Sequence, residues 1–396
     1  MAVGTRLIVF NADEDYARKL RADLMSVEGA KIVAEVDEIA LVPAAVNQFA
    51  CDVVVVHLDP QPEMVLHVAG QVAQERPDLP VFGISGSQDG QVILAAMRAG
   101  FREFLLKPLD VQQLAEALGR VAQQRSPSLK TGKLMAVIGS IGGVGATTVA
   151  TNLAVELADL ASTQVALVDM DFRFGQVATF LDVQPTFTVA ELVDSPEQCD
   201  QGMIEKAMVK HPTGVHVLAR PNHFAQAEQV SAAHCGGVLS ALQELYDYVV
   251  VDGPSRYDMG GKTVLDMADV NLVVAQLLVT SIRSTDRILT ELNRAGYNLE
   301  RIKLVCNQVG RESGHLTLEH IEATLDKRMF HTIVDDWKSV SGAINMGEPL
   351  LTHMTKSKVR QCLRELAEKL HTPSGAQPDG EEAKKAGGLL SKIFSE

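Results

Sequence analysis

Short apolar runs alternate with longer amphipathic stretches along the first third of the chain. A stretch with helical spacing follows each run, and the runs are residues 6–10, 31–36, 52–58, 80–85 and 103–107. Continuous apolar strands separated by helices are typical of a parallel sheet that is buried on both faces. Residues 1–124 are therefore predicted to form an α/β domain with five strand–helix pairs.

The same alternation returns over a longer stretch after residues 125–133, a polar segment with a Ser-Pro step that is predicted to be a linker. Further strands are predicted at residues 134–140, 164–170, 214–219, 246–253, 270–276 and 302–307. They indicate a second, larger doubly wound α/β domain over 134–371, with a loop at 341–351. Residues 372–396 are rich in proline, glycine and charge, which predicts a flexible tail.

A glycine-rich turn follows the first strand of the second domain, where residues 140–148 read SIGGVGATT. Its glycines allow successive backbone N–H groups to point inward, and the helix that follows places its positive end at the same point. A strand, a glycine-rich turn and a helix are the context that a phosphate-binding loop (P-loop) requires. The predicted nucleotide-binding residues of this loop are Gly142, Gly143, Val144, Gly145, Ala146, Thr147 and Thr148.

Polar side chains also mark the ends of other predicted strands. Asp169 and Asp171 follow one strand, Asp252 ends another, and Asn307 ends a third. Because the carboxyl ends of parallel strands meet at one edge of a sheet, these side chains are expected beside the P-loop. Carboxylates at this edge, with the Thr147 hydroxyl, are where Mg²⁺ and an attacking water would be held. The Asn307 amide is predicted to bind an adenine edge.

These motifs resemble those of the MinD/ParA family of deviant P-loop ATPases over about residues 134–371. The family loop reads Lys-Gly-Gly-x-Gly-Lys-Thr, whereas Ile141 and Ala146 replace both lysines here. The resemblance implies ATP and Mg²⁺ as ligands, with Thr147, Asp169 and Asp252 as the Mg²⁺ ligands and Asp171 and Asp252 as the catalytic carboxylates. It implies Asp171 as the residue that orients the attacking water, and Asp252 as the Walker B aspartate. With two cationic partners of the phosphates missing, we expect weak ATP binding and slow or absent hydrolysis. Arg173 and Arg283 are candidate replacement cations.

The first domain resembles the receiver domains of response regulators over residues 6–122, which implies a flavodoxin-like fold. A receiver carries an acidic, metal-binding cluster after its first strand and a phosphorylated aspartate at the end of its third. Here Asn11, Ala12 and Asp13 occupy the first place, and His57 occupies the second. Because hard cations need carboxylate ligands, the receiver reaction is predicted to be absent.

Ser85 and Lys107 match the switch hydroxyl and the lysine of a receiver. We interpret them as remnants with packing or hydrogen-bonding roles, and Asp59 as a loop residue. The domain is therefore predicted to be a pseudo-receiver that serves as an interaction module. Phosphorylation of His57 itself is the less favoured alternative.

The two-domain arrangement resembles the TadZ/CpaE-type proteins of Flp/Tad pilus assembly. The resemblance implies a cytoplasmic protein at the inner-membrane face or cell pole, with the pilus secretion and assembly machinery as partner. It also implies a homodimer, and without a lysine at Ile141 that dimer is expected to rely on apolar or N-terminal contacts. The alternatives are an active ATPase that drives a MinD-like localisation cycle, and a DNA-partitioning regulator.

Composition restricts these alternatives. The net charge is −14 over 396 residues, which disfavours nucleic acid as a partner. The five cysteines are scattered without metal-ligand spacing, so reduced thiols are expected. No signal peptide and no membrane span are expected. The tail sequence GGLLSKIFSE has apolar residues at helical spacing, which favours partner docking slightly over weak membrane contact.

Overall fold

A computed structural model describes residues 4–124, 132–192, 201–253, 259–310 and 316–371. The predicted tail at 372–396 and most of the predicted linker lie outside these residues. Within the described ranges, no helix is both long enough and apolar enough to cross a membrane.

The N-terminal residues form one parallel sheet. Its strands are β1 (Thr5–Phe10), β2 (Ala30–Val36), β3 (Val53–His57), β4 (Val81–Ser85) and β5 (Glu103–Leu106). The helices between and after them are α1 (Glu14–Ser26), α2 (Val42–Gln48), α3 (Pro62–Glu75), α4 (Gly90–Arg98) and α5 (Val111–Gln124). The spatial order is β2-β1-β3-β4-β5, which is the order of flavodoxin-like sheets. The predicted strand–helix pairs are confirmed, whereas the receiver interpretation stays a prediction.

A second sheet follows. Its strands are β6 (Lys133–Gly139), β7 (Val165–Asp169), β8 (Val209–Lys210), β9 (Val215–Leu218), β10 (Tyr248–Asp252), β11 (Val270–Gln276), β12 (Ile302–Val309) and β13 (Met329–Val334). The order is β13-β12-β11-β6-β10-β7-β9-β8, and every pair is parallel except β8 with β9. The sequence patterns did not predict β8 and β13.

The helices of the second sheet are α6 (Ala146–Ala161), α7 (Val177–Phe180), α8 (Gln201–Ala207), α9 (Phe224–Ala227), α10 (Ala232–Leu245), α11 (Met259–Met267), α12 (Val279–Arg294), α13 (Leu318–Leu325), α14 (Trp337–Met346), α15 (Leu350–His353) and α16 (Lys358–Leu370). The prediction of a loop at 341–351 is wrong, because α14 continues to Met346. Asp336 caps the start of α14 by accepting a hydrogen bond from Ser339 N, and Gly347 ends it in a left-handed conformation.

Charged side chains join the two sheets across α1, β2 and α11. The Arg21 guanidinium contacts the buried Asp266 carboxylate and lies 2.5 Å from Glu35 Oε2. Lys262 Nζ is also 2.5 Å from Glu35 Oε2, and Arg21 Cζ lies 4.4 Å from the centre of the Tyr297 ring. Burial raises the pKa of Asp266 to about 7 against the opposing effect of Arg21. The ion pair of Arg21 and Asp266 is therefore held away from water.

Apolar contacts extend the same interface. One hydrophobic cluster contains Val33 and Val42 from the N-terminal half together with Val264 and Met267 of α11. Burial of apolar area stabilises by about 25 cal/mol per Å², so this shared core resists separation of the sheets. Helix α11, the helix that follows β10, is thus packed directly against the N-terminal sheet.

Candidate nucleotide-binding site

The P-loop lies at the carboxyl end of β6, a central strand between β11 and β10. Its backbone needs glycine at two positions, because φ is 80° at Gly143 and 92° at Gly145. No atom lies within 4 Å of a Cβ built on Gly142 or Gly143, so this side of the loop is open. Helix α6 begins at Ala146 without a side-chain cap. The N–H groups of its first turn are therefore available to an anion, as predicted.

Side chains from neighbouring strands hold the loop in place. Asn307 Nδ2 donates to Val144 O at 2.7 Å, and Gln308 N donates to Asn307 Oδ1 at 2.9 Å. Gln276 Nε2 donates to Gly143 O at 3.4 Å. Both the amide nitrogen and the amide oxygen of Asn307 form hydrogen bonds within the protein, so this side chain stabilises the conformation of the P-loop. Its predicted contact with adenine stays a prediction.

The carboxylates of Asp169 and Asp252 face each other at the ends of neighbouring strands. The two residues are direct register partners of β7 and β10, and both side chains are buried. Asp169 Oδ2 accepts a hydrogen bond from Val177 N at 3.1 Å, and the Thr147 hydroxyl bonds to Asp252. The sequence prediction that Thr147, Asp169 and Asp252 meet beside the P-loop agrees with this arrangement.

One oxygen of each carboxylate, Asp169 Oδ1 and Asp252 Oδ2, is buried without a hydrogen-bond partner. Burial raises the pKa of Asp169 to about 7, and burial together with the nearby Asp169 charge raises the pKa of Asp252 well above its usual range. Such unpaired buried oxygens are the kind of group that a cation satisfies. Their donor chemistry fits Mg²⁺, which Thr147 and the two carboxylates would hold with help from nucleotide phosphates.

The described residues contain no group of three or more histidine, cysteine or acidic side chains that could hold a metal alone. Asp171 lies two residues beyond Asp169 in a half-buried position, where its Oδ1 accepts from Phe174 N at 3.1 Å. Gly175 lies against Asp169, since a Cβ there would be 1.9 Å from Asp169 Oδ1.

The positions of both family lysines are apolar. Ile141 and Ala146 are half-buried and pack against the core around α6. Of the candidate replacement cations, Arg283 is exposed on α12 and Arg173 pairs with Glu228 at 3.5 Å on the surface. The structure therefore gives neither arginine a contact with the carboxylates.

A different arginine, which sequence reasoning missed, lies beside the carboxylates. Arg220 follows β9, and its Nε donates to Gly175 O at 2.7 Å. Its charge favours the ionised form of Asp169, although burial dominates the pKa of that group. The sequence signal that could have found it is its place directly after a predicted strand at the same edge of the sheet.

Asp169→Asn is expected to stabilise the ligand-free protein at about pH 8 and to remove its stabilisation by ATP and Mg²⁺. Because the pKa of Asp169 is about 7 in the folded chain, against 3.8 ordinarily, the folded state holds more protons between these values. Stability therefore falls as pH rises through that window and stays reduced above it. Asparagine stays neutral and keeps an acceptor for Val177 N.

Thermal unfolding of both proteins at about pH 5 and about pH 8, with and without Mg²⁺ and ATP, measures this effect. The variant should gain stability over wild type mainly at the higher pH. An equal difference at both pH values would contradict the assignment.

This site and sheet define a P-loop nucleotide-binding domain. The family model "AAA domain" matches residues 132–303. The septum site-determining protein MinD of Thermotoga maritima is 24% identical over 225 residues, which is 55% of this chain and 81% of the relative. MinD of Bacillus subtilis is 26% identical over 272 residues, which is 67% of this chain and 97% of the relative.

Solved structures give the same fold. A ParA family ATPase from Chlorobium tepidum superposes with a TM-score of 0.57 at 19% identity, covering 61% of this chain and all of that one. MinD from Pyrococcus horikoshii, solved in complex with Mg-ADP, has a TM-score of 0.54 at 20% identity and covers 62% of this chain and 98% of that one. The comparisons support a P-loop ATPase domain of the MinD/ParA type in the C-terminal part of this chain.

Proposed function

We propose that this protein is a localisation and assembly factor for Flp/Tad pilus biogenesis that binds ATP and Mg²⁺ with weak or no hydrolysis. The observation that carries the proposal is a pocket that keeps the groups expected to bind nucleotide and Mg²⁺ but lacks the two lysines that would stabilise charge on the phosphates. The open loop, Thr147 and the unpaired oxygens of Asp169 and Asp252 remain. Ile141 and Ala146 pack against the core where cations would meet the phosphates.

The missing lysines affect hydrolysis more than binding. One charge-assisted contact to phosphate contributes about 1.5–3 kcal/mol, so the loss of a lysine weakens binding by about 10- to 150-fold. A cation that acts on the transferring phosphoryl group contributes about 10³–10⁵ in rate in related chemistry. ATP occupancy at cellular concentrations is thus compatible with negligible turnover.

A dimeric scaffold is the second part of the proposal. Exposed apolar side chains surround the site on segments that follow β7, β9, β11 and β13, namely Phe174, Phe224, Leu278, Val279 and Trp337. Phe174 is 66% exposed, Phe224 is 60% exposed, and their ring centres lie 6.2 Å apart. An apolar rim of this kind is typical of a protein–protein contact. It supports a dimer that does not need a lysine reaching across to the partner's nucleotide.

The pilus role rests on the resemblance of the whole arrangement to TadZ/CpaE-type proteins. The surroundings of His57 in the N-terminal sheet support an interaction role for this part of the chain. His57 lies where a receiver would carry its phosphorylated aspartate. This histidine is buried, and its Nδ1 and Nε2 lie 2.6 Å from Asn11 Oδ1 and 2.8 Å from Lys107 Nζ. Such an environment leaves no free ring nitrogen for a phosphoryl group, which favours a non-catalytic interaction module over phosphorylation of His57. A place at the cytoplasmic face of the membrane is proposed on the resemblance alone.

An active ATPase that drives a MinD-like localisation cycle is the second candidate. It is supported by the pairing of Asp169 with Asp252, by Asp171 two residues beyond Asp169, and by the charge of Arg220, which acts on Asp169. Under this alternative, hydrolysis would be required for correct localisation.

Two variants separate the candidates in cells that encode this protein. Asp171→Ala removes the carboxylate that would orient water, and the scaffold proposal predicts normal foci and normal pili with this variant. Gly145→Val places a Cβ near Asn307 Nδ2, at 2.5 Å, and at a φ of 92° that valine does not tolerate, so ATP binding, foci and pili should be lost.

The purified proteins provide the control measurements. Circular dichroism checks that both variants fold, sedimentation with and without ATP gives the oligomeric state, and a phosphate-release assay gives turnover. Loss of pili with Asp171→Ala, together with wild-type turnover well above the blank, would favour the cycling ATPase. A dimer that forms only with ATP would contradict the apolar contact.

A further inference from the structure

A polar cluster at the carboxyl edge of the N-terminal sheet has no part in the proposed nucleotide chemistry. Its residues lie at the end of β4 or just beyond the ends of β3, β4 and β5, namely Asp59, Ser85, Gly86 and Lys107. The sequence interpretation placed Asp59 in a loop, and it does lie beyond the end of β3. Its carboxylate, however, points back into the centre of this cluster.

Three hydrogen-bond donors converge on the Asp59 carboxylate. Ser85 Oγ donates to Oδ1 at 2.7 Å, and Gly86 N donates to Oδ2 at 2.9 Å. Lys107 Nζ lies 2.7 Å from the same Oδ2. Partial burial alone would raise the pKa of Asp59, but these bonds lower it to about 2, so the group is an anion. An ammonium, a hydroxyl and a backbone amide aimed at one point form a pocket for an oxyanion.

His57 fixes the direction of the lysine. Its Nε2 lies 2.8 Å from Lys107 Nζ and its Nδ1 lies 2.6 Å from Asn11 Oδ1. Burial and the Lys107 charge lower the pKa of His57, so the ring is neutral and accepts from the ammonium through Nε2. Tyr16 covers the other side, with Lys107 Nζ 4.6 Å from its ring centre. His57 and Tyr16 therefore hold the lysine toward Asp59 from two sides.

We propose that Asp59 is a built-in ligand of an oxyanion pocket formed by Lys107 Nζ, Ser85 Oγ and the Gly86 amide. The pocket would accept a free tetrahedral oxyanion, such as inorganic phosphate, only when the Asp59 carboxylate is removed. In the wild-type chain the carboxylate excludes such ions by occupying their site and repelling their charge. The Asp59 carboxylate thereby links the ends of β3, β4 and β5 through its hydrogen bonds, and these links form without phosphorylation.

Thermal unfolding with increasing phosphate tests the pocket in the full chain, with chloride at matched ionic strength as reference. Asp59→Ala is expected to unfold at a lower temperature than wild type in chloride. Phosphate should then raise its Tm by about 2–5 °C more than that of wild type at roughly ten times the dissociation constant. The comparison with wild type removes any contribution of phosphate at the P-loop, which is the same in both proteins.

Two matched variants show whether the pocket is responsible. Asp59→Asn keeps the size of the side chain and blocks the pocket, so it should not gain the extra response to phosphate. Asp59→Ala combined with Lys107→Met should lose the response, because the ammonium is absent. No extra stabilisation of Asp59→Ala, or an equal response in the double variant, would overturn the proposal.

A second measurement needs only the wild-type chain. After incubation with acetyl phosphate and Mg²⁺, mass spectrometry of the intact protein is expected to show no added phosphoryl group. A phosphoryl group on Asp59 would show that this residue is an acceptor and not a permanent ligand, which would also overturn the proposal.

Discussion

Replacing Ala146 by lysine is expected to tighten ATP binding by about 10- to 150-fold. Ala146 is the first residue of α6, directly after Gly145, so a longer side chain would start at the phosphate end of the helix. Its half-buried position beside the open face of the loop leaves a path toward a bound phosphate. The expected gain is the free energy of one charge-assisted contact that the present sequence lacks.

Ala146→Met is the matched control, because methionine has a similar length and no charge. Titration calorimetry with ATP and Mg²⁺ compares the two variants with wild type. Adding Ile141→Lys to Ala146→Lys restores both family positions, and this double variant should hydrolyse ATP faster than wild type by a route that Asp171→Ala abolishes. Equal affinity of the lysine and methionine variants would show that the P-loop of this protein does not bind phosphates in the expected manner.

Replacing Arg21 by methionine is expected to lower the free energy of unfolding by about 3–5 kcal/mol. The Asp266 carboxylate is buried, and Arg21 is the main group that favours its ionised form. Without Arg21, the Asp266 carboxylate keeps only its hydrogen bond to Tyr297 and the charge of Lys262, so the chain must either bury a weakly compensated charge or protonate Asp266 on folding. The second route costs more as pH rises, so the loss of stability should be larger at about pH 8 than at about pH 5.5.

Chemical denaturation of Arg21→Met at both pH values measures the effect. The matched control is Arg21→Met combined with Asp266→Leu, which removes both charges and should recover much of the lost stability. Glu35 keeps its contact with Lys262 in both variants, so it does not obscure the comparison. A double variant as unstable as the single one would show that packing, and not the unpaired carboxylate, causes the loss.

The sequence predicted those features that are local or periodic. The run at 53–56 consists of four valines because parallel strands are buried on both faces. The P-loop is recognisable because its glycines are needed for its backbone geometry. The grouping of Asp169 with Asp252 was predictable because parallel strands end at one edge. In each case the sequence signal, whether an apolar run, a glycine pattern or the end of a strand, is readable within a short stretch of chain.

Features that depend on distant contacts were missed. Strand β13 is only half-buried along its length and has no long valine run, so pairing with β12 and not pattern decides its conformation. The contacts of Gln276 and Asn307 with the P-loop, and of Arg21 with Asp266, join residues that are more than a hundred positions apart. The end of α14 is different, since Asp336 and Gly347 were readable caps that the prediction of a loop overlooked.

Helix α11 belongs to the second α/β unit and also packs against the N-terminal half of the molecule. It begins a few residues beyond Asp252 and presents Lys262 and Asp266 to Glu35 of β2 and Arg21 of α1. A ligand whose binding displaces α11 must also break contacts between the two halves of the molecule. A partner that breaks those contacts must in turn change the affinity for that ligand. The two effects are equal in free energy, because linkage is reciprocal. If ATP binds as proposed and displaces α11, the N-terminal half would respond to ATP occupancy through this helix without a chemical signal of its own.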